Sequence, residues 1–364
     1  MRLFINGYFL AKPKTGMGQY LLQILLNQQW GLDFFILIPE YLKKDIRDIP
    51  KSISKNIQYI PIVYKRNDLL AQMIWEKFIF PKEVQKQKAD IVWSPHPSIS
   101  NITNIKHIMT LHDVIYWRLP EYIPNWKVRL YVGLLASSIL KASQIITISK
   151  FSAKEIESIF NIPSKNIPII SPASPKSKQK DIKFTINGQY IFYEGGLDIR
   201  KNVPKLIQAF SLIANKYKNL NLYIAGKYFD SPIIPNIPYL INHYNLQDRV
   251  KLLGYISDED MINYIKNAQA LVYPSLYEGF GIPILEGLSL GTPVITSNIG
   301  AMKEVSADSA ITVNPNSAKS ISQGIETLLN DDLLRQSIVH KGFERVKYFN
   351  WAKSALQLEL IFNK

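Results

Sequence analysis

Two glutamates, Glu278 and Glu286, stand with seven residues between them within LVYPSLYEGFGIPILEGLSLGTPVITSN, residues 271–298. Gly279 and Gly281 lie between them and open the backbone, so N–H groups at a helix start can approach a diphosphate or a sugar hydroxyl. Phosphates repel carboxylates. The two acids therefore suit the hydroxyls that flank a diphosphate, and a sugar nucleotide has that layout, with a ribose on one side and a hexose on the other. Two solvated acids on an ordinary strand-loop-helix are the plainer alternative. The local elements favour the first reading. Ala270–Tyr273 is an apolar strand stopped by Pro274 and Ser275, Leu276–Phe280 is a loop, and a helix follows from Gly281 with Pro283 in its first turn and Gly291 past its last.

A second group with chemistry lies at Gly195-Gly196-Leu-Asp-Ile-Arg200-Lys201, between the strand Gln189–Glu194 and a helix expected over Lys205–Tyr217. Glycines and adjacent cations at a strand-to-helix junction suit a leaving diphosphate, where Arg200 and Lys201 would neutralise the charge developing on the bridging oxygen. Solvated charges near a helix start are the alternative. His112 and Asp113 directly follow the strand Lys106–Leu111, and in open α/β sheets such positions line the ligand crevice. A histidine satisfied by loop backbone fits the same pattern. Gly16 and Gly18 precede an amphipathic helix expected from Gln19, where they suit either a phosphate or a tight turn. Asp258-Glu259-Asp260 imitates a metal-binding triplet, but Ser257 before an apolar-periodic helix with acids in its first turn reads as a helix cap, and no metal is expected.

At least nine strand-like runs alternate with helices, which implies an α/β chain of two doubly wound parallel sheets. The 364 residues suffice for two domains. The boundary is expected in PASPKSKQK, residues 172–180, giving domains over 1–175 and 176–345 and a C-terminal helix over 346–364; in the fold class that the resemblance given below implies, such a helix crosses back to the first domain, with Trp351 as anchor. There are no cysteines, which excludes disulfides and thiolate metal sites. No run approaches the ~18 apolar residues of a membrane span, so a cytoplasmic protein, soluble or peripheral on the inner membrane face, is expected. Of the formal net charge of +14, residues 1–180 carry nearly all, with 25 Lys+Arg against 12 Asp+Glu, while the rest of the chain holds 18 against 17. Such a half is expected to face something acidic, whether nucleic acid, an anionic membrane or a phosphorylated acceptor, unless it is simply solvated. The helix expected over Asn125–Ala142 could lie on a membrane through aromatics and cations, although most of its apolar residues suit a core.

SLYEGFGIPILEGLSLGTPVITS resembles the E-x7-E signature of the retaining glycosyltransferases of family 4, and weaker resemblance extends from Thr15 to about Pro315. The resemblance implies the GT-B fold, two Rossmann-like domains facing across a cleft. It implies that Glu286 holds the nucleotide ribose, and that Glu278 with the backbone of Phe280, Gly281 and Ile282 lies against the transferred sugar. It implies that His112, beside Asp113, contacts the donor sugar, and that Gly16 and Gly18 face the cleft. Lys201 fits the family lysine, whereas Gly196 stands where the family carries an arginine; whether Arg200 replaces it stays open. The expected activity is metal-independent transfer of a hexose, first mannose from GDP-mannose and second a sugar from a UDP-hexose, to a glycan or lipid-linked acceptor in bacterial polysaccharide synthesis. A non-catalytic carbohydrate-binding relative and a basic nucleic-acid-binding protein are the alternatives, and neither explains the acid-glycine-acid spacing.

Overall fold

The computed structural model describes residues 1–46, 49–62, 68–174, 188–228 and 231–364. The chain forms two compact units, one of Met1–Pro172 with Asn350–Lys364 and one of Ala173–Phe349. The expected linker starts at Pro172, and its part from residue 175 onward lies outside the described residues.

The first unit holds β1 (Arg2–Asn6), β2 (Asp33–Pro39), β3 (Ile57–Ile60), β4 (Ile91–Ser94), β5 (Lys106–Thr110) and β6 (Gln144–Ile146), all parallel, in the order β3-β2-β1-β4-β5-β6. The second holds β7 (Gln189–Glu194), β8 (Leu220–Ala225), β9 (Val250–Gly254), β10 (Ala270–Tyr273), β11 (Val294–Ser297) and β12 (Ile311–Val313), also parallel, in the order β12-β11-β10-β7-β8-β9. The two sheets share one winding: each starts at a central strand, runs to one edge, then returns and runs to the other. The strand order therefore reverses between β1 and β4, and again between β7 and β10, and ligands bind beyond the carboxyl ends of strands at such reversals. Central strands such as β4 (IVWS) and β10 (ALVY) are buried along their whole length. Helices cover both faces of such a sheet, so these strands are continuous apolar runs rather than alternating ones.

The chain ends in two helices, Asp332–Val346 and Trp351–Phe362, the second of which falls within the helix expected over 346–364. Asn350 separates them by capping the second, its side-chain oxygen accepting from Ala352 N at 2.8 Å and Lys353 N at 3.2 Å. This last helix is pinned to the first unit. Trp30 Nε1 donates to Ala355 O at 3.0 Å, Ser354 Oγ to Ser171 O at 2.6 Å, and Lys106 Nζ to the terminal carbonyls of Ile361 and Phe362 at 2.9 and 3.1 Å. Trp351 is 5% exposed, with its ring edge-on to Tyr20. The helical stretch from Leu69 to Lys86 is also interrupted: a wide π turn over Trp75–Ile79 joins Leu69–Ile74 to Phe80–Lys86 and buries both Trp75 and Glu76. No helix among the described residues is long and apolar enough to cross a membrane.

Candidate active site

β10 ends where Pro274 removes a ladder donor, and the chain turns through a buried loop into the helix Ile282–Ser289. Gly281 caps that helix at φ +105°, a left-handed conformation that costs any residue with a Cβ, and Pro283 occupies the first turn. Gly287 allows the helix to lie directly on the sheet, because a Cβ there would meet Val294 Cγ2 at 2.7 Å and Leu271 Cδ2 at 3.0 Å. Glu278 is thus set in the loop beyond β10, and Glu286 in the second turn of the helix.

Glu278 is 7% exposed and gathers both cations of the other loop. Arg200 Nη1 reaches its Oε2 at 2.6 Å, Lys201 Nζ its Oε1 at 2.7 Å, and Tyr273 OH donates to Oε1 at 2.8 Å. Lys201 Nζ also donates to Tyr273 OH at 2.6 Å, while Arg200 Nε lies 3.2 Å from Asp198 Oδ1. Burial alone would raise the Glu278 carboxyl, but Arg200 and Lys201, with hydrogen bonds from Lys201 and Tyr273, hold it down at about 2. Burial lowers Lys201, against the pull of Glu278. The loops are also joined through their backbones. Leu276 N donates to Arg200 O at 2.7 Å, and Asn202, left-handed at φ +60°, donates from Nδ2 to Pro274 O at 3.0 Å and Pro315 O at 2.8 Å. The expected diphosphate cations are therefore held, with Glu278, in one buried cluster.

Glu194, the last residue of β7, is 5% exposed and faces the carboxyl of Glu286. Burial raises both acids; the neighbouring Glu286 raises Glu194 further, and Asp258 raises Glu286. Lys201 draws Glu194 the other way, so it links this acid pair to the Glu278 cluster. Gly195 follows at φ +132°, and Gly196 is exposed, with the Asp198 carboxylate 2.8 Å from the place a Cβ would take. The sequence reading had not singled out Glu194, Tyr273 or Asn202. Glu194 carried the signal used for His112, a polar residue at the carboxyl end of a buried strand.

In the first unit, His112 lies just beyond β5, with Nε2 2.8 Å from Pro95 O and its ring edge-on to Tyr20. A carbonyl can only accept, so Nε2 carries the proton and Nδ1 is an acceptor. Burial lowers the imidazole to about 4, which keeps it neutral. Asp113 Oδ1 accepts from Ile115 N at 3.0 Å and so fixes the following turn. Gly16 begins the helix Gly16–Asn27 and is exposed. Gly18 N donates to the Thr15 cap at 3.1 Å, and a Cβ on Gly18 would overlap Lys12 O at 2.2 Å, so this glycine is needed for a close turn. Asp258, Glu259 and Asp260 occupy the first turn of the helix Asp258–Lys266, where Ser257 Oγ accepts from Asp260 N at 3.0 Å. Among the described residues no group of three or more His, Cys, Asp or Glu side chains could hold a metal ion.

Residues 28–173 match the family described as Glycosyltransferase Family 4, and residues 175–345 that described as Glycosyl transferases group 1. The chain is similar to O-antigen chain mannosyltransferase B of Escherichia coli, 32% identical over 372 residues that cover 95% of each protein. Among solved structures, sucrose-phosphate synthase from Thermosynechococcus elongatus aligns with a TM-score of 0.76 at 19% identity, over 100% of this chain and 98% of that one. HepE of Anabaena, solved with UDP and glucose, aligns with a TM-score of 0.72 at 16% identity, over 100% and 99%. At such identities the structural likeness establishes the fold, two parallel six-stranded units of the GT-B type, and the matching families establish the kinship. The chain belongs to the group 1 glycosyltransferases with a family 4 N-terminal domain, and it is a glycosyltransferase.

Proposed function

We propose that the protein transfers mannose from GDP-mannose, with a UDP-hexose as second choice, to a hydroxyl of a glycan or lipid-linked acceptor in polysaccharide synthesis, with retention and without a metal. The observation that carries this reading is the buried cluster of Arg200, Lys201, Tyr273 and Glu278 beside the Gly281 helix start, at the reversal between β7 and β10. Two fixed cations in a desolvated site stabilise the negative charge that a departing nucleoside diphosphate acquires, and need no reorganisation to do so. Glu278, ionised down to about pH 2, is not a general acid. Clamped by two cations and a phenol, it is also a poor nucleophile, and it acts instead as an acceptor that orients a hydroxyl of the transferred sugar. Retention then follows from attack on the face that the diphosphate leaves, with the acceptor proton passing to the departing phosphate oxygen. Glu286 accepts from the ribose, and His112, through Nδ1, from a hydroxyl of the donor sugar. The kinship with a mannosyltransferase supports the choice of sugar.

A thermal-shift panel of GDP, UDP, dTDP and ADP, followed by transfer from the matching sugar nucleotide with and without EDTA, tests the reading. A ligand that binds only the folded protein raises its melting temperature. GDP is expected to give the largest rise, with transfer insensitive to EDTA and the product α-linked by NMR. If no nucleotide shifts the melting temperature, the assignment is wrong.

We further propose that the first unit rests on an anionic lipid surface. On the helix Trp126–Lys141, Trp126 (70% exposed), Leu130 (48%) and Leu140 (62%) recur at helical spacing on one outward stripe, and exposed Lys127, Arg129 and Lys141 flank them. Binding to phosphatidylglycerol vesicles but not phosphatidylcholine vesicles, abolished by Trp126→Glu with Leu130→Glu, is expected; equal binding of this variant refutes it.

A further inference from the structure

Glu194 has no part in the reaction as described above, yet its position is hard to account for as packing. It ends the central strand of the second unit, in QYIFYE, after four apolar or aromatic residues that are themselves buried. Its Oε1 is buried and meets no N–H or O–H donor. The group that faces its side chain is another carboxyl, Glu286. Two ionised carboxylates in such contact, both removed from water, repel strongly. One proton shared between them turns the repulsion into a charge-assisted hydrogen bond.

We infer that Glu194 is a positioning and specificity residue for the nucleotide, a buried acid that donates its proton to Glu286 and thereby aims the charged oxygens of Glu286 at two ribose hydroxyls. This rests on the proposed reading of Glu286 as the ribose acceptor. Glu194 is the better shielded of the two, being buried where Glu286 keeps a minor part of its surface exposed, so the proton resides on Glu194 and the charge on Glu286. The other charged groups that bear on the pair are Lys201, from the turn after β7, and Asp258, at the start of the helix Asp258–Lys266. Lys201 favours ionisation of Glu194, while Asp258 opposes ionisation of Glu286. Both acids are raised by burial, so the shared proton is lost only above the ordinary carboxylate range. Once it is lost, Glu286 is repelled by the acid behind it and nucleotide binding weakens.

The test uses the full-length protein and four readouts: donor KM, kcat, their pH dependence from 5 to 9, and calorimetric binding of GDP against 2′-deoxy-GDP. UDP and 2′-deoxy-UDP replace these if UDP is the nucleotide that stabilises the wild type. In the wild type, KM is expected to rise on the alkaline side. Glu194→Val removes the donor while keeping a strand-forming side chain; it is expected to raise KM about tenfold at every pH, roughly the worth of one hydrogen bond to a charged group, with kcat within about twofold. It is also expected to erase the preference for the ribonucleotide over its 2′-deoxy form. Glu194→Gln, whose amide donates at every pH, is expected to restore KM and to flatten the alkaline rise. Melting temperatures of both variants report folding separately. A Glu194→Val protein with wild-type KM and ribose preference, or a Glu194→Gln protein that keeps the alkaline rise, overturns the inference while the glycosyltransferase reading stands. A wild type that binds none of the four nucleotides overturns the donor reading, and the inference with it.

Discussion

Glu278→Gln is the sharpest perturbation of the second unit, since it removes one negative charge and almost no volume. The side chain is 7% exposed, so little of its interaction is screened by solvent. Its carboxyl is held at about 2 against an ordinary 4.5, and that difference corresponds to about 3 kcal/mol of folding stability at neutral pH. Breaking a buried ion pair by deleting one partner costs roughly 3–5 kcal/mol by an independent route. Arg200 and Lys201 would be left facing an amide, with Asp198 still beside Arg200. For a unit of this size, about 3 kcal/mol corresponds to a melting temperature lower by roughly 6–12 °C. The pH dependence discriminates further. A carboxyl whose folded value is depressed contributes stability that is fully present above its unfolded value, near 4.5, and is lost as pH falls through about 2. The wild-type advantage over Glu278→Gln should therefore be complete at pH 6–7 and vanish towards pH 2. Scanning calorimetry, following the transition of the second unit, measures it. A difference under about 1 kcal/mol, or one that does not change with pH, would show that the cluster is not coupled as described.

Lys201→Met should lower kcat by roughly 100- to 1000-fold, the usual effect of losing one fixed donor to developing charge, with a smaller change in donor KM; steady-state kinetics read the split. Gly281→Ala should destabilise the second unit by roughly 1–2 kcal/mol, because its φ of +105° disfavours a Cβ, and should raise donor KM, as denaturant titration and kinetics would report. Burial holds His112 neutral down to about pH 4, so kcat/KM should show no acid limb near the ordinary histidine value of 6.5. A pH–rate profile with a limb there, lost in His112→Ala, would contradict the neutral assignment.

The residues that act locally are legible in the chain. Glu278 and Glu286 declare themselves through the glycines and proline that shape the turn between them, and Ser257 through the acids that follow it. What the chain does not disclose is convergence. Lys201 and Glu278 meet across 77 residues, and only the strand order, with β7 beside β10, brings their loops together. Arg200 and Lys201 read as cations awaiting a diphosphate, whereas their shared carboxylate partner depends on that pairing. Glu194 fell outside the reading because YIFYE scans as a strand, and an acid at a strand end looks like the onset of a loop. The break in the tail at Asn350 and the π turn at Trp75 are local, yet neither Phe349–Trp351 nor Trp75–Ile79 contains a glycine or proline that would announce a break.

Buried charge of this density is a poor way to make a domain stable. Burial works against the charged forms of Glu194, Glu286, Lys201 and Glu278 alike, and an apolar replacement of the same shape would commonly fold as well or better. What the arrangement provides is a field of fixed direction. Tyr273, Asn202 and the backbone between Leu276 and Arg200 hold the cations against rotation, so their charge is delivered at one point beyond β7 and β10. Asp198 and Glu278 match Arg200 and Lys201 in charge, which makes the cluster close to neutral as it stands. A diphosphate then binds by sharing cations already in place, and Glu278 is left with weaker claims on them and more capacity to accept from a sugar hydroxyl. On that logic Glu278→Gln should bind GDP more tightly than the wild type while transferring more slowly, a divergence of affinity from turnover that a purely structural carboxylate would not produce.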